Sequence, residues 1–395
     1  MEYYVITGLT STTHGEFEYG VVRMARRRCR KIAERRTIPT LHIGDLEAKI
    51  PIVQGGMGVG ISLSNLAAAV ANEGGIGVIA TAGIGMSEPD FDRDMKKANQ
   101  IALRKEIRNA RELSDGIIGV NIMVALSDFD SLVATAIEER VDIVFAGAGL
   151  LLKDPRVAFG GKHNTKTKIA PIVSSAKATR IIFESWKRKH GYLPDAVVVE
   201  GPMAGGHLGF KPEQITNPAY NLDKIVTDVI TLVESYTKRF GKHIPVIAAG
   251  GVYTGADIYR LMQLGADAVQ MGTRFVATYE CDASDAFKQA YLNCKKEDLV
   301  IIKSPVGLPG RAIRNDFLEN VNAGERKPVY CPYKCLRTCD FRKVPYCIAL
   351  ALLNAKRGAL DVGFAFAGAN AYRVDRILHM RELIETLVSE YQLCS

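Results

Sequence analysis

Two stretches hold residue types that do chemistry at spacings that matter. In "VVVEGPMAGGHLGF" (197–210) an apolar run meets an acid, Glu200, a Gly-Pro break, and then Ala204-Gly205-Gly206-His207. An unperturbed histidine titrates near pH ~6.5, which suits proton transfer at neutral pH, and glycines let a ligand approach the backbone. A hydrogen-bonded rim histidine without chemistry is the plain alternative. In "CPYKCLRTCDFRKVPYC", Cys331, Cys335, Cys339 and Cys347 follow a C-x3-C-x3-C-x7-C pattern. Four thiols so close in an intracellular chain read as a metal site. Zinc sites favour short knuckles and a well-separated second pair. The near-even spacing suits a [4Fe-4S] cluster first, zinc second and free thiols third.

These groups need a scaffold. Short apolar runs recur at 50–56, 76–81, 117–123, 141–147, 168–174, 195–201, 244–251 and 267–273. Segments of helical spacing lie between them, at 63–73, 90–113, 127–140, 175–190, 222–240, 254–264 and 283–293. The gap between the fourth and fifth runs is irregular and predicts little helix. Nearly continuous apolar strands are buried on both faces, as in a parallel sheet wrapped by helices. Eight β/α units predict an α/β (β/α)8 TIM barrel, with a doubly wound open sheet as runner-up. The active site of such a barrel lies at the C-terminal strand ends. Nearly every run ends there in glycine or a polar residue. Gly250-Gly251 and Gly272-Thr273 close the seventh and eighth strands, the usual phosphate position, where small residues expose N–H groups.

The order of "PIVQGGMG", "GVNIMV", "VVVEGPMAGGHLGF", "PVIAAGG" and "VQMGTRF" resembles the nitronate monooxygenase family (formerly 2-nitropropane dioxygenases), which includes FMN-dependent enoyl-ACP reductases. The resemblance covers residues 38–320 and implies FMN. It places the FMN phosphate at Gly250, Gly251, Gly272 and Thr273, and the isoalloxazine ring near Gly56 and Met57. Asn121 and Gln270 would bond flavin or ribityl atoms, the Ala204-Gly205-Gly206 turn would pass the flavin, and His207 would be the acid/base. Glu200 either bonds the ribityl chain or accepts N–H groups that shape its loop. Ser174 and Ser175 contact ligand or cap a helix. Arg311 binds an anion at the mouth or makes a surface salt bridge.

The four-cysteine block departs from ordinary members of the two classes. A cluster near FMN would favour reduction, and a remote one would be structural. The leading expectation is oxidation of a nitronate or nitroalkane, with His207 as base. The first alternative is reduction of an enoyl thioester or other activated C=C, fed by NAD(P)H or through the cluster from a redox partner. No spaced G-x-G-x-x-G turn marks a nicotinamide site. The second alternative is a flavin-free barrel that binds a phosphate ligand.

Composition sets the remaining bounds. The 395 residues are 47% hydrophobic and 24% charged, an ordinary globular balance. No apolar run reaches the ~18 residues of a membrane span, and no secretory signal opens the chain. Eight cysteines without a disulfide framework indicate a reduced, cytoplasmic protein. The net charge of +8 is concentrated in residues 23–36, where seven Arg and one Lys face one Glu. No aromatics interleave there, which argues against nucleic acid and for a solvated arm or a subunit contact in a homo-oligomer. The expected organisation is a basic arm (1–37), the barrel (38–320) and a Cys-rich helical extension (321–395).

Overall fold

The computed structural model describes residues 37–327, 331 and 333–395, so the basic run at 23–36 lies outside the described residues. Eight strands close a parallel barrel: β3 (Ile52–Gln54), β4 (Ile76–Ala80), β5 (Ile117–Met123), β6 (Ile143–Gly147), β7 (Lys168–Val173), β8 (Val197–Glu200), β10 (Val246–Ala249) and β11 (Ala268–Met271). β11 returns to pair with β3, which closes the ring. The expected (β/α)8 barrel is observed, and the open sheet is excluded.

Strand periodicity explains the apolar runs. Val198 points inward with Val53, Ile76, Phe145, Ile247 and Ala268, whereas Val197 and Val199 point outward under the helices. Both faces are therefore dry. Helices at Ser64–Asn72, Met95–Leu113, Phe129–Glu138, Ala176–His190, Leu222–Phe240, Gly255–Gln263 and Asp285–Leu292 sit within a few residues of the predicted segments. Their ends carry local signals: Ser175 and Asn221 accept from Ala178 and Lys224 N–H, and Gly191 and Gly241 take left-handed backbone at the C-termini. Between β6 and β7 only short 3-10 turns occur, as the irregular sequence predicts.

Three further features complete the barrel. A hairpin of β1 (Leu41–Ile43) and β2 (Leu46–Ala48) plugs the N-terminal barrel end, with Leu41, Ile43 and Ala48 packed into the interior cluster. A small antiparallel sheet joins β12 (Leu299–Lys303), β13 (Pro309–Ile313) and β9 (Gly206–His207). Finally, the segment 364–373, between the C-terminal helices Ile348–Lys356 and Met380–Cys394, lies on the mouth itself. No helix among the described residues is long and apolar enough to cross a membrane.

Candidate functional site

The barrel interior changes character at its C-terminal end. Lower layers hold Ile143, Phe145, Val198 and Ala268. Two residues further along their strands, the same inward face carries Glu200 and Gln270. Ala249 separates them, registered to Glu200 on one side and Gln270 on the other. On β5 the inward series from Ile117 and Gly119 ends in Asn121. The side chains of Asn121, Glu200 and Gln270 have no hydrogen-bond partner among the described residues. Burial pushes the Glu200 carboxyl up to about 7. Close approach explains Gly56: a Cβ there would stand 2.3 Å from the Asn121 Cβ. Met57 follows and reaches the Gly272 position, where a Cβ would lie 3.6 Å from its sulfur.

The strand exits beyond this layer form a nest of backbone donors. Gly250 and Gly251 have φ of +91° and +93°, and Thr273 opens a single helical turn after Gly272. Among the described residues, no acceptor engages the backbone N–H groups of Gly250, Gly251, Gly272 or Thr273. Free N–H groups converging at the exits of two adjacent strands favour an anionic group. A phosphate fits this donor set, and an FMN phosphate is one such group.

The turn after β8 is held over the mouth from two sides. Arg311, only 8% exposed, donates to the Pro202 and Ala204 carbonyls at 2.7 and 2.6 Å. It makes no salt bridge among the described residues, and both of these bonds come from Nη1. From the other side comes the C-terminal segment. The Gly368 N–H donates to Thr273 Oγ at 3.2 Å, Ala369 N–H to the Met203 carbonyl, and Asn370 Nδ2 to the Gly251 carbonyl at 2.7 Å. A Cβ at Gly205 would strike the Ala367–Gly368 peptide at 2.6 Å.

This packing fixes His207. Its Nε2 lies 2.7 Å from Ser304 Oγ, and its ring stands edge-on to Phe366 with centroids 5.1 Å apart. Burial pulls its pKa down to about 4, so the imidazole is neutral at pH 7. The sequence singles out neither Ser304 nor any one residue of 364–373, although the two C-terminal helices around "FAFAGANAY" are expected to pack on the barrel or reach its mouth. The only signal was the tight "SPVG" turn and the small-residue run "AGANA". Of the two serines weighed earlier, Ser175 is the helix cap, and Ser174 donates to the Gly209 carbonyl.

The cysteine block sits elsewhere on the rim. Ser127 N–H donates to the Cys335 carbonyl, Arg337 N–H to Ala125, and Leu126 bridges Leu336, so the block rests on the loop after β5. Tyr333 hydrogen-bonds Asp92 in the loop after β4. Cys335 is pushed up to about 12 by burial and by the charges of Cys347, Cys331 and Cys339. The four thiols therefore share one neighbourhood. Among the described residues, however, no group of three or more His, Cys, Asp or Glu side chains is arranged to hold a metal ion. Neither the expected [4Fe-4S] cluster nor the zinc alternative is supported by this arrangement.

A closed β/α barrel with uncommitted backbone donors and a polar inner layer at its mouth defines a (β/α)8 protein built to take a ligand there. Sequence comparison makes this specific. Residues 40–139 and 125–390 match the nitronate monooxygenase family, and the chain belongs to it, a family of oxidoreductases. A 5-hydroxy-7a-methyl-1-oxo-octahydro-1H-indene-4-carboxyl-CoA dehydrogenase of Mycobacterium tuberculosis is 28% identical over 70% of this chain and 66% of its own length. A protein of Staphylococcus saprophyticus described as a probable nitronate monooxygenase is 28% identical over 71% and 79%. The structure of FabK from Thermotoga maritima superposes with a TM-score of 0.66 at 30% identity, covering 87% of this chain and 93% of that one. A nitroalkane oxidase from Streptomyces ansochromogenes has the same fold, with a TM-score of 0.66 at 23% identity over 87% and 96%.

Proposed function

We propose that this chain is an FMN-dependent oxidoreductase that oxidises nitronates or nitroalkanes. The observation that carries the reading is the convergence of three features on one mouth: the uncommitted N–H nest, the unpartnered layer of Asn121, Glu200 and Gln270, and His207. The nest would hold the FMN phosphate. Asn121 and Gln270 would bond flavin or ribityl atoms, Glu200 the ribityl chain, and Gly56, Met57 and the Ala204-Gly205-Gly206 turn would border the ring. Bound there, FMN supplies the two-electron oxidation.

His207 would accept the α-proton of a nitroalkane on its neutral imidazole. Ser304 and Phe366 hold the ring still, which limits the loss of orientation on binding. A preformed nitronate needs no such proton transfer. Losing His207 should therefore slow nitroalkane turnover far more than nitronate turnover.

A second reading is reduction of an enoyl thioester, drawing electrons from NAD(P)H. It is supported by the Mycobacterium tuberculosis relative, whose name specifies a CoA thioester. We further propose that Cys331, Cys335, Cys339 and Cys347 ligate a polynuclear iron–sulfur cluster, a reading supported by their close spacing in sequence and by Cys335 lying within reach of the other three thiols. No step of the reaction is assigned to it.

The deciding experiment purifies the full chain anaerobically. FMN, iron, acid-labile sulfide and zinc are quantified, and turnover is then measured. Oxygen-linked consumption of nitronate with FMN bound supports the leading reading. Anaerobic loss of a 2-enoyl thioester replaces it with the second. A chain that binds no flavin returns the barrel to a phosphate-ligand binder.

A further inference from the structure

One cluster at the mouth is used by none of these roles. Tyr253, two residues beyond Gly251, is buried beneath two arginines. The Arg274 guanidinium carbon lies 4.6 Å from the Tyr253 ring centroid and that of Arg373 lies 4.3 Å from it. Three separate elements bring them together: the exit of β10, the exit of β11 and the C-terminal segment. That segment is pinned to both exits by Gly368 on Thr273 and Asn370 on Gly251. The arginines are therefore held in place and do not wander on a loop.

Their charge is not compensated. Among the described residues neither Arg274 nor Arg373 forms an ion pair, whereas the neighbouring Arg104 and Arg108 share Glu139. Lys296, with its ammonium 6.0 Å from the ring of neighbouring Tyr372, adds a third cation without an ion pair. The acid whose charge reaches Tyr253 is Asp375, an exposed residue that pairs with neither arginine. Arg373 is exposed and Arg274 half-buried, so both can be reached from solvent.

Two guanidiniums on one aromatic platform repel each other, and the ring offsets that repulsion only in part. A dianionic phosphate monoester removes it, and the planar guanidinium fork matches phosphate oxygens. FMN carries a single phosphate, and the nest already supplies N–H donors for it. We propose that Arg274 and Arg373 form a second phosphate site, which takes the ribose phosphate monoester of a phosphorylated adenine nucleotide, the group shared by coenzyme A and NADPH. The site rests on the FMN reading only in giving the nest to the flavin. Its own test reads flavin separately.

Binding to the flavin-loaded full chain is measured by calorimetry at low and moderate salt, with coenzyme A against dephospho-coenzyme A and NADPH against NADH. Wild type is compared with Arg373→Ala and Arg373→Glu, changes at an exposed position that leave the core intact. The expected result is a preference for the phosphorylated member of one pair. That preference falls about tenfold or more in Arg373→Ala, and further in Arg373→Glu, while FMN content is unchanged. The pair that responds identifies the source of the phosphate. No preference in either pair, or a preference that survives both variants, overturns the site. Loss of FMN from Arg373→Ala also overturns it, because the arginines would then serve the flavin phosphate.

Discussion

The two ends of the barrel are built from similar residue types and treat charge in opposite ways. At the N-terminal end, Arg156 is 1% exposed and paired with two carboxylates: its Nε donates to Asp154, and its Nη1 donates to Asp195 at 2.8 Å and to the Thr167 carbonyl at 3.0 Å. Lys162 and Lys242 also reach Asp195. Burial alone would raise Asp195, but Arg156, Lys162 and Lys242 more than offset it and hold the carboxyl well below its usual range. At the C-terminal end, Glu200 has no cation, Arg274 and Arg373 have no carboxylate among the described residues, and the nest has no acceptor. One end pairs its charges internally and closes. The other leaves them for a ligand. In a (β/α)8 barrel this division separates stability from chemistry.

The largest expected effect lies at the closed end. Removing one member of a buried ion pair leaves the others buried and uncompensated, which costs about 3–5 kcal/mol. Arg156→Ala should lose that much in urea unfolding, while the fraction that remains folded keeps its flavin. Loss of flavin in proportion beyond the loss of folded protein would break the contrast between the two ends.

His207 is the counterpart at the open end. His207→Ala should lower nitroalkane turnover by about 10²–10⁴-fold, the range for a positioned acid/base, with little change in urea midpoint. A stability loss with unchanged turnover would make it a packing residue. Ser304→Ala should act through His207 and move the acid limb of the pH–rate profile, which a purely structural serine would leave in place.

How much of this contrast is readable from sequence follows from where its causes lie. The strands are legible because each is buried on both faces, so "DAVVVEG" and "IPVIAAGG" carry their structure locally. His207 and the nest glycines are legible because they directly follow those strands. Ser304, Arg311 and the 364–373 segment are not. Their roles come from contacts such as Ser304 on His207 and Gly368 on Thr273, between residues about a hundred positions apart. The small residues of "AGANA" look like a spacer until Gly205 is seen to need them. Arg156 lies in a stretch with no period at all; Asp154 is its neighbour in sequence, but only tertiary folding supplies Asp195.

A glycine pair sharpens the contrast further. Gly250→Ala forces a Cβ at φ +91° to within 2.8 Å of the Gly201 carbonyl oxygen, a backbone atom that cannot step aside. The strain should cost about 1–3 kcal/mol and lower FMN occupancy. Gly191→Ala, at φ +76° with nothing within 4 Å of the new Cβ, should cost about 1–2 kcal/mol and leave FMN untouched. Equal flavin loss in both would show that global stability, not the nest, governs cofactor content.

The last test concerns the unpaired acid itself. Burial raises Glu200 from 4.5 to about 7. Between these values the folded chain holds a proton that the unfolded chain releases, so stability falls as pH rises through this window and the penalty is complete above about 7. His207 runs the other way. Lowered from 6.5 to about 4, it refuses in the folded state a proton that the unfolded chain takes, and stability is lost as pH falls from 6.5 toward 4. Glu200→Gln removes only the first of these effects. In flavin-free protein, its stability relative to wild type should therefore rise from pH 4.5 to 7 and then level off. A constant difference across that range, read from urea unfolding at several pH values, would refute an unpartnered buried carboxyl. FMN loading adds a sharper arm. A ribityl hydroxyl donating to Glu200 favours its charged form and draws its pKa back toward 4.5, so the pH dependence should shrink when flavin binds. A dependence unchanged by flavin would detach Glu200 from the cofactor and leave it the role of shaping its loop.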